Sequence, residues 1–202
     1  MKLYYAPGAC SLAPHIALLE AGLPFSTERV DLRAQPHTTE SGTDYKSVNP
    51  KGYVPTLVLD NGEVLTEAAV VLQYIADRAP EKRLAPDRNT NDRYRVQEWL
   101  NFISTELHKG FAPFWKPDVP QEQKDAAWER LSQRLEWLEQ QFNGKDYLMG
   151  QFGIADCYLF TILRWTDVFK LSLDSWPALK AYRSRVAARP SVQQALKDEQ
   201  IA

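Results

Sequence analysis

Long apolar runs are missing from this sequence. None approaches the roughly 20 residues of a membrane-spanning helix, and the opening MKLYYAPG has no apolar core of an export signal. Cysteine is scarce: Cys10 and Cys157 stand far apart, a pattern that fits a reducing cytoplasm better than a disulfide framework. Residues 11 to 13 read Ser-Leu-Ala, so there is no CxxC dithiol. The only histidines are His15, His37 and His108, none at metal-ligand spacing from another, and no metal is expected. Excess charge is lacking too. With 24 Lys and Arg against 26 Asp and Glu, neither a nucleic-acid backbone nor an anionic membrane surface is an expected partner. P-loop, dinucleotide and HExxH patterns are absent. What remains is 202 residues, 44% hydrophobic, enough for one large domain or two small ones.

The first eighty residues alternate short strands and helices. Lys2–Tyr5 and Phe25–Leu32 read as strands around a helix over Ser11–Ala21, with Leu12, Ile16 and Leu19 at helical spacing and Gly22 as the stop. Pro14 is tolerated in the first turn, where its missing N–H costs nothing. A strand–helix–strand unit of this kind closes with its strands parallel. Val54–Leu59 and Glu63–Leu65 flank the turn signal Asp60-Asn61-Gly62 and form a hairpin, and a helix follows over about Thr66–Arg78. The expected sheet is four-stranded and mixed. Residues 1–79 thus form one domain. Residues 80–90, with Pro80, Pro86 and little apolar content, read as a linker. Residues 91–202 form an all-helical domain, with helices over Arg93–Lys109, Gln121–Phe142, Ile154–Phe169, Trp176–Ala188 and a short one at Val192–Lys197.

Four stretches carry candidate chemistry. Cys10 follows the bend Pro7-Gly8-Ala9 and precedes a helix, where the dipole and backbone N–H groups lower a thiol pKa; a free cysteine in ordinary core is the alternative. Cys157 reads as core. Pro55 at the mouth of a strand cannot donate to the ladder. A cis bond there would present the backbone of Val54 to a peptide-like ligand, but the dipeptide alone favours trans. Thr66-Glu67-Ala68 opens a helix, so its N–H groups suit an α-carboxylate and Glu67 an ammonium; simple capping by Thr66 is the plainer reading. Asn101, Thr105 and His108 form a polar stripe opposite Val96, Trp99, Leu100, Ile103 and Leu107, equally a solvated face. Phe111, Phe114 and Trp115 follow, as an apolar pocket wall or as core.

Taken in order, MKLYYAPGACS, Asn49-Pro50-Lys51-Gly52-Tyr53-Val54-Pro55, Leu65-Thr66-Glu67, Gln73-Tyr74-Ile75-Ala76-Asp77, Glu98-Trp99-Leu100-Asn101, Glu106-Leu107-His108-Lys109-Gly110, Ala155-Asp156-Cys157-Tyr158-Leu159-Phe160 and Arg189-Pro190 resemble the bacterial beta-class glutathione S-transferases nearly end to end. The resemblance implies a thioredoxin-like N-terminal domain joined to an all-helical one. It implies glutathione as co-substrate and a homodimer. It also implies that Cys10 lies beside the glutathione sulfur, that Val54 before a cis Pro55 pairs with the cysteinyl backbone, and that Glu67 and the Ala68 N–H hold the γ-glutamyl end. Asn101, Thr105 and His108 would reach the tripeptide from the helical domain. Two departures stand out. The lysine that often meets the glycyl carboxylate is missing from Ala34-Gln35-Pro36-His37, leaving Gln35 or His37 as weak replacements. Gly153 stands where a Ser or Thr usually caps the helix of Asp156, so half of that capping box is lost.

The reaction implied is attack of the glutathione thiolate on an electrophilic carbon of a hydrophobic compound, as in detoxification or xenobiotic metabolism. A thiol of pKa about 8.5 is only about 3% ionised at pH 7, and lowering it two units takes about 2.7 kcal/mol of preferential anion stabilisation. The Ser11 hydroxyl, neighbouring N–H groups and a protonated His108 are the expected donors, with Cys10 as donor or redox partner. Phe111, Phe114, Trp115 and Trp165 are the expected apolar wall. The alternatives are a glutathione-dependent thiol-disulfide reductase or peroxidase working through a Cys10–glutathione mixed disulfide, and a non-enzymatic carrier of hydrophobic ligands.

Overall fold

The computed structural model describes residues 1–201, which form two compact units, taken here one at a time. In the first, β1 (Lys2–Tyr5), α1 (Leu12–Ala21) and β2 (Ser26–Asp31) make the anticipated strand–helix–strand unit, with β1 and β2 parallel and Leu3 opposite Thr27. Gly22, at φ 65°, ends α1 by donating its N–H back to Leu18 O and Leu19 O, a left-handed position that glycine occupies without strain. β4 (Thr56–Val58) and β5 (Val64–Thr66) are joined by the Asp60-Asn61-Gly62 turn, and Leu59 closes it through a bond to Glu63. β4 runs antiparallel to β1, with Leu57 opposite Leu3.

The four expected strands are all present. The sheet gains a fifth at its edge: β3 (Thr38–Thr39) pairs antiparallel with β2, giving the order β3-β2-β1-β4-β5 among the described residues. A two-residue strand carries no period-2 signal, so the sequence does not announce it. α2 (Ala68–Arg78) packs on α1. It begins one residue after Glu67, while Thr66 lies in β5 and does not cap it.

α1 is buried from Leu12 to Leu18, on every side, because a further helix from late in the chain also packs against it. That helix spans Pro190–Asp198, and the segment from Arg189 onward groups with the first unit. The expectation that 91–202 forms one helical domain is corrected here. Val192, Ala195 and Leu196 are buried, and burying a Val or Leu side chain is worth about 1.5–3 kcal/mol. Arg189 adds a two-pronged ion pair to Glu20, at 2.7 and 3.0 Å.

Residues 80–90 are no free linker either. Pro80–Lys82 forms a 3-10 turn within the first unit, which runs to Ala85. Beyond it, Thr90 caps α3 (Asn91–Phe102), its hydroxyl accepting from the Arg93 N–H at 3.2 Å and donating to Asp87 O at 2.7 Å.

The second unit, Pro86–Ala188, contains no strand among the described residues. The helix expected over Arg93–Lys109 is α-helical only to Phe102. It widens to a π-turn over Ile103–His108 and tightens to a 3-10 stretch over Lys109–Trp115. α4 (Gln121–Gln141), α5 (Ile154–Leu163), the short α6 (Trp165–Val168) and α7 (Pro177–Ala187) follow, so the helix from Pro190 is α8. α5 is buried at every position and is the central helix of this unit. Its Asp156 accepts from the N–H of Gly153 (2.9 Å), the N–H of Leu148 (3.1 Å) and the Tyr182 hydroxyl (3.1 Å). Gly153 has no side chain to return the bond, so the cap works in one direction only.

Candidate functional site

In the first unit the bend after β1 is built by its residues. Ala9 donates to Ala6 O, and Gly8 sits at φ 70°, where a side chain would strain the backbone. The bend delivers Cys10, 9% exposed, to the head of α1, with its Sγ donating to Val54 O at 3.2 Å. The Val54–Pro55 bond is cis, as the resemblance implied and against the reading of the dipeptide alone. The backbone around it is clamped. Asn49 Nδ2 and the Tyr45 hydroxyl both donate to Tyr53 O, and both also bond to Thr56 Oγ1. Burial raises the Tyr45 pKa, so this phenol keeps its proton.

Ser11 departs from its expected role. Its hydroxyl is fully buried, donating to Ala6 O and accepting from the Ala6 N–H at 3.1 Å. It ties the ends of the bend together and has no proton to offer a sulfur. Nearby, Tyr4 packs on Tyr45, and Tyr5 on His15.

Glu67 heads α2 in a backbone state rare for a residue with a side chain, φ 68° and ψ 114°. Such a conformation costs about 1–3 kcal/mol and clusters at ligand-binding positions. Its carboxylate accepts from Lys51 Nζ at 2.7 Å and from the Tyr53 hydroxyl at 2.6 Å. Those bonds raise both the lysine and the tyrosine pKa, each chiefly through the hydrogen bond to Glu67. Just beyond, the N–H groups of Ala68 and Ala69 head the helix without intrahelical acceptors, an anion-favouring end. Acceptor, cation and helix-head N–H groups therefore meet at one corner. The sequence pointed to Glu67 and Ala68 but not to Lys51 or Tyr53, which look like turn residues.

The segment expected to meet a carboxylate is less well equipped. Gln35 is exposed and precedes a cis Pro36, while the His37 ring is engaged through Nδ1 with Gly52 O at 2.9 Å. Lys46, whose chain lies against Gly52, is a cation in that neighbourhood that sequence reasoning passed over.

In the second unit, Asn101 and Thr105 are exposed at the junction of α3 and the π-turn, and the Thr105 hydroxyl donates back to Asn101 O at 3.0 Å. His108 ends the π-turn. Its Nδ1 shares a 2.7 Å hydrogen bond with the Tyr158 hydroxyl, and its ring meets Trp165 edge-on at 4.9 Å. Burial, with a smaller push from Lys109, lowers its pKa to about 4. Burial thus favours the neutral imidazole near neutral pH over the protonated form expected at this position. Phe111, Phe114, Trp115 and Trp165 do come together, around Phe169, which the sequence had not singled out. Phe111 and Trp165 are buried and back the cluster, whereas Trp115 is 49% exposed and forms its open face.

A separate groove of about 740 Å³ runs along the α3–α4 side of this unit, floored by Trp99, Phe102 and Trp137. The ion pairs Arg95–Glu98 (2.9 Å) and Arg134–Glu106 (2.7 Å) border it. Among the described residues, no group of three or more His, Cys, Asp or Glu is placed to hold a metal ion, and no helix is long and apolar enough to cross a membrane.

Family models of the glutathione S-transferase N-terminal and C-terminal domains match residues 8–78 and 102–190. The chain is 46% identical to the glutathione S-transferase GstA of Escherichia coli O157:H7, across 98% of both chains. It is 36% identical to the glutathione S-transferase GST-4.5 of Xanthomonas campestris, again across 98% of both. Among solved structures it is similar to a sphingomonad glutathione S-transferase complexed with glutathione (45% identity, TM-score 0.95, all of both chains). A beta-class enzyme of Sphingomonas chungbukensis matches equally well (43% identity, TM-score 0.96, all of both chains).

Proposed function

The chain belongs to the glutathione S-transferase family, and on that premise we propose how its own residues bind glutathione and drive the transfer of its sulfur to an electrophilic carbon of a hydrophobic compound. Glutathione is the co-substrate. The observation that carries the residue assignment is the corner of the first unit where Glu67, Lys51 and the N–H groups of Ala68 and Ala69 meet. A γ-glutamyl end carries one ammonium and one carboxylate. Glu67 takes the ammonium, and the helix N–H groups with Lys51 take the carboxylate. Val54, its backbone clamped beside Pro55, pairs with the cysteinyl unit and brings the glutathione sulfur to Cys10. Lys46 is a better candidate than Gln35 or His37 for the glycyl carboxylate, since its ammonium carries the charge that the missing lysine would supply.

With Ser11 committed and His108 neutral, thiolate stabilisation falls to the N–H groups and dipole at the head of α1, joined by the Cys10 S–H once it turns from Val54 O to the glutathione sulfur. The thiolate then forms a C–S bond as the leaving group departs with its electron pair. The thiol proton is lost to solvent beforehand. We retain Asn101, Thr105 and His108 as glutathione contacts, with His108 as a neutral hydrogen-bonding group, and Trp115 with Phe114 as the face that receives the apolar substrate. Two cysteines far apart in the chain and not joined by a disulfide agree with a cytoplasmic setting.

A second copy of the chain is the partner we assign to the α3–α4 groove. An apolar floor flanked by charges of both signs is self-complementary under two-fold symmetry, each arginine able to face a glutamate of its mate.

Retention on immobilised glutathione tests the binding assignment: wild type is retained, and Glu67→Ala, which removes the ammonium acceptor, elutes early. Equal retention of both overturns it. Failure of the wild type to bind would favour the carrier reading. A reductase reading is favoured by one observation, the Cys10 thiol at the head of a helix beside a cis proline. Cys10→Ala separates the two: aryl-halide conjugation is weakened but largely stands if Cys10 is one donor among the groups at the head of α1, while any disulfide-reductase activity is lost.

A further inference from the structure

The bend that presents Cys10 is held from an unexpected direction. Glu199, directly after α8, is 2% exposed, and its carboxylate reaches back to the start of the chain. Oε2 accepts from the Gly8 N–H at 2.8 Å, and Oε1 bonds to His15 Nδ1 at 3.0 Å. Gly8 lies two residues before Cys10, and His15 lies on α1 one turn past it. A single buried carboxylate therefore spans the bend and the helix that together fix the thiol.

The end of α8 is built to put it there. Gln200 takes a left-handed conformation (φ 57°), with Ile201 N–H bonded to Leu196 O and Gln200 N–H to Lys197 O, the paired closing bonds of a Schellman turn. The reversal carries the Ile201 side chain over Gly8, where a Cβ would lie 3.7 Å from Ile201 Cδ1. At the other end of α8, Arg189 is locked to Glu20 of α1. The helix is thus fastened to α1 at both ends, and only its far end also touches the bend.

We propose that Glu199 is a positioning residue for the transfer reaction: through the Gly8 N–H it fixes the bend and hence where the Cys10 sulfur sits relative to Val54. A carboxylate accepting a backbone N–H in a site closed to water is a strong tether, and losing it frees the bend without touching the core of the sheet. The Cys10 placement stands on geometry alone. Its consequence for transfer rests on the assignment of glutathione above, so the test is designed to run without glutathione.

The probe is iodoacetamide, with labelling of each cysteine followed by mass spectrometry in the folded protein. Cys157 is fully buried in α5 and serves as the internal control. In Glu199→Ala, Cys10 labels about tenfold faster than in wild type, the size expected for loss of one charge-assisted hydrogen bond, while Cys157 stays as slow as before. Glu199→Gln keeps an oxygen for the Gly8 N–H and remains near the wild-type rate. Glu199→Asp keeps the charge but withdraws it by one methylene, repeats the selective rise, and serves as the test should the alanine variant not fold. An unchanged Cys10 rate in a folded Ala or Asp variant overturns the proposal. So does a parallel rise at both cysteines, which marks general loosening. If the labelling shifts as stated but wild type ignores glutathione, the functional assignment has failed and the positioning role survives.

Discussion

Burial lowers the His108 pKa to about 4, against about 6.5 for an open imidazole, so folding costs this group its proton over that interval. The unfolded chain binds the extra proton between those two values, so stability rises with pH there. The contribution is complete above about pH 6.5 and is lost as pH falls toward 4, about 3 kcal/mol in all. We expect His108→Gln, which keeps a polar neighbour for Tyr158, to flatten the fall in urea stability between pH 7 and pH 4.5 by about 2 kcal/mol. An identical pH dependence in both proteins would count against the burial argument. Position 108 was legible as a polar member of a stripe. Its neutrality was not, because Tyr158 and Trp165, which enclose it, come from α5 and α6, some fifty residues on. The same limit applies to Ser11. The sequence offers its hydroxyl as a donor to the thiolate, and only the closure of the bend shows that Ala6 consumes it.

Among the elements, the π-turn and the 3-10 stretch after it are the departures from regular period. Gly110 explains part of that shape. A Cβ there would lie 2.6 Å from Leu131 Cδ2 of α4, so the chain can approach α4 this closely only without a side chain. Gly110→Ala is expected to cost about 1–3 kcal/mol, the usual range for overpacking, read as a lowered midpoint in thermal or urea unfolding. A variant as stable as wild type would show that Leu131 swings aside freely. Helices with a sustained apolar face, such as α4, and turns with glycine at a left-handed position, such as Gly22 and Gly62, could be placed from the sequence. β3 and the end of α3 could not. Two residues are too few to show alternation, and a π-turn keeps apolar residues such as Ile103 and Leu107 inward while shifting the polar ones off a straight stripe.

For the whole molecule, the groove floored by Trp99, Phe102 and Trp137 makes the sharpest forecast. Trp137 is 44% exposed in the single chain, and a tryptophan at the centre of an apolar patch is the kind of residue that dominates an interface. Sedimentation should find wild type dimeric and Trp137→Glu weakened at least tenfold toward monomer, since the substitution buries an unpaired charge in the contact. Two species with the same weight-average mass would remove the groove from the assembly. Domain order was legible because the strand–helix alternation stops near residue 79. The return of α8 to the first unit was not: its apolar positions say that it is a helix, not which helix it covers.

The grouping of α8 with α1 also bears on synthesis. The first unit is assembled from the two ends of the chain, while the sequence of the 86–188 unit is continuous. A ribosome therefore finishes the second unit's sequence before it has made the residues that close the first. Until Val192, Ala195 and Leu196 emerge, one side of α1 waits uncovered.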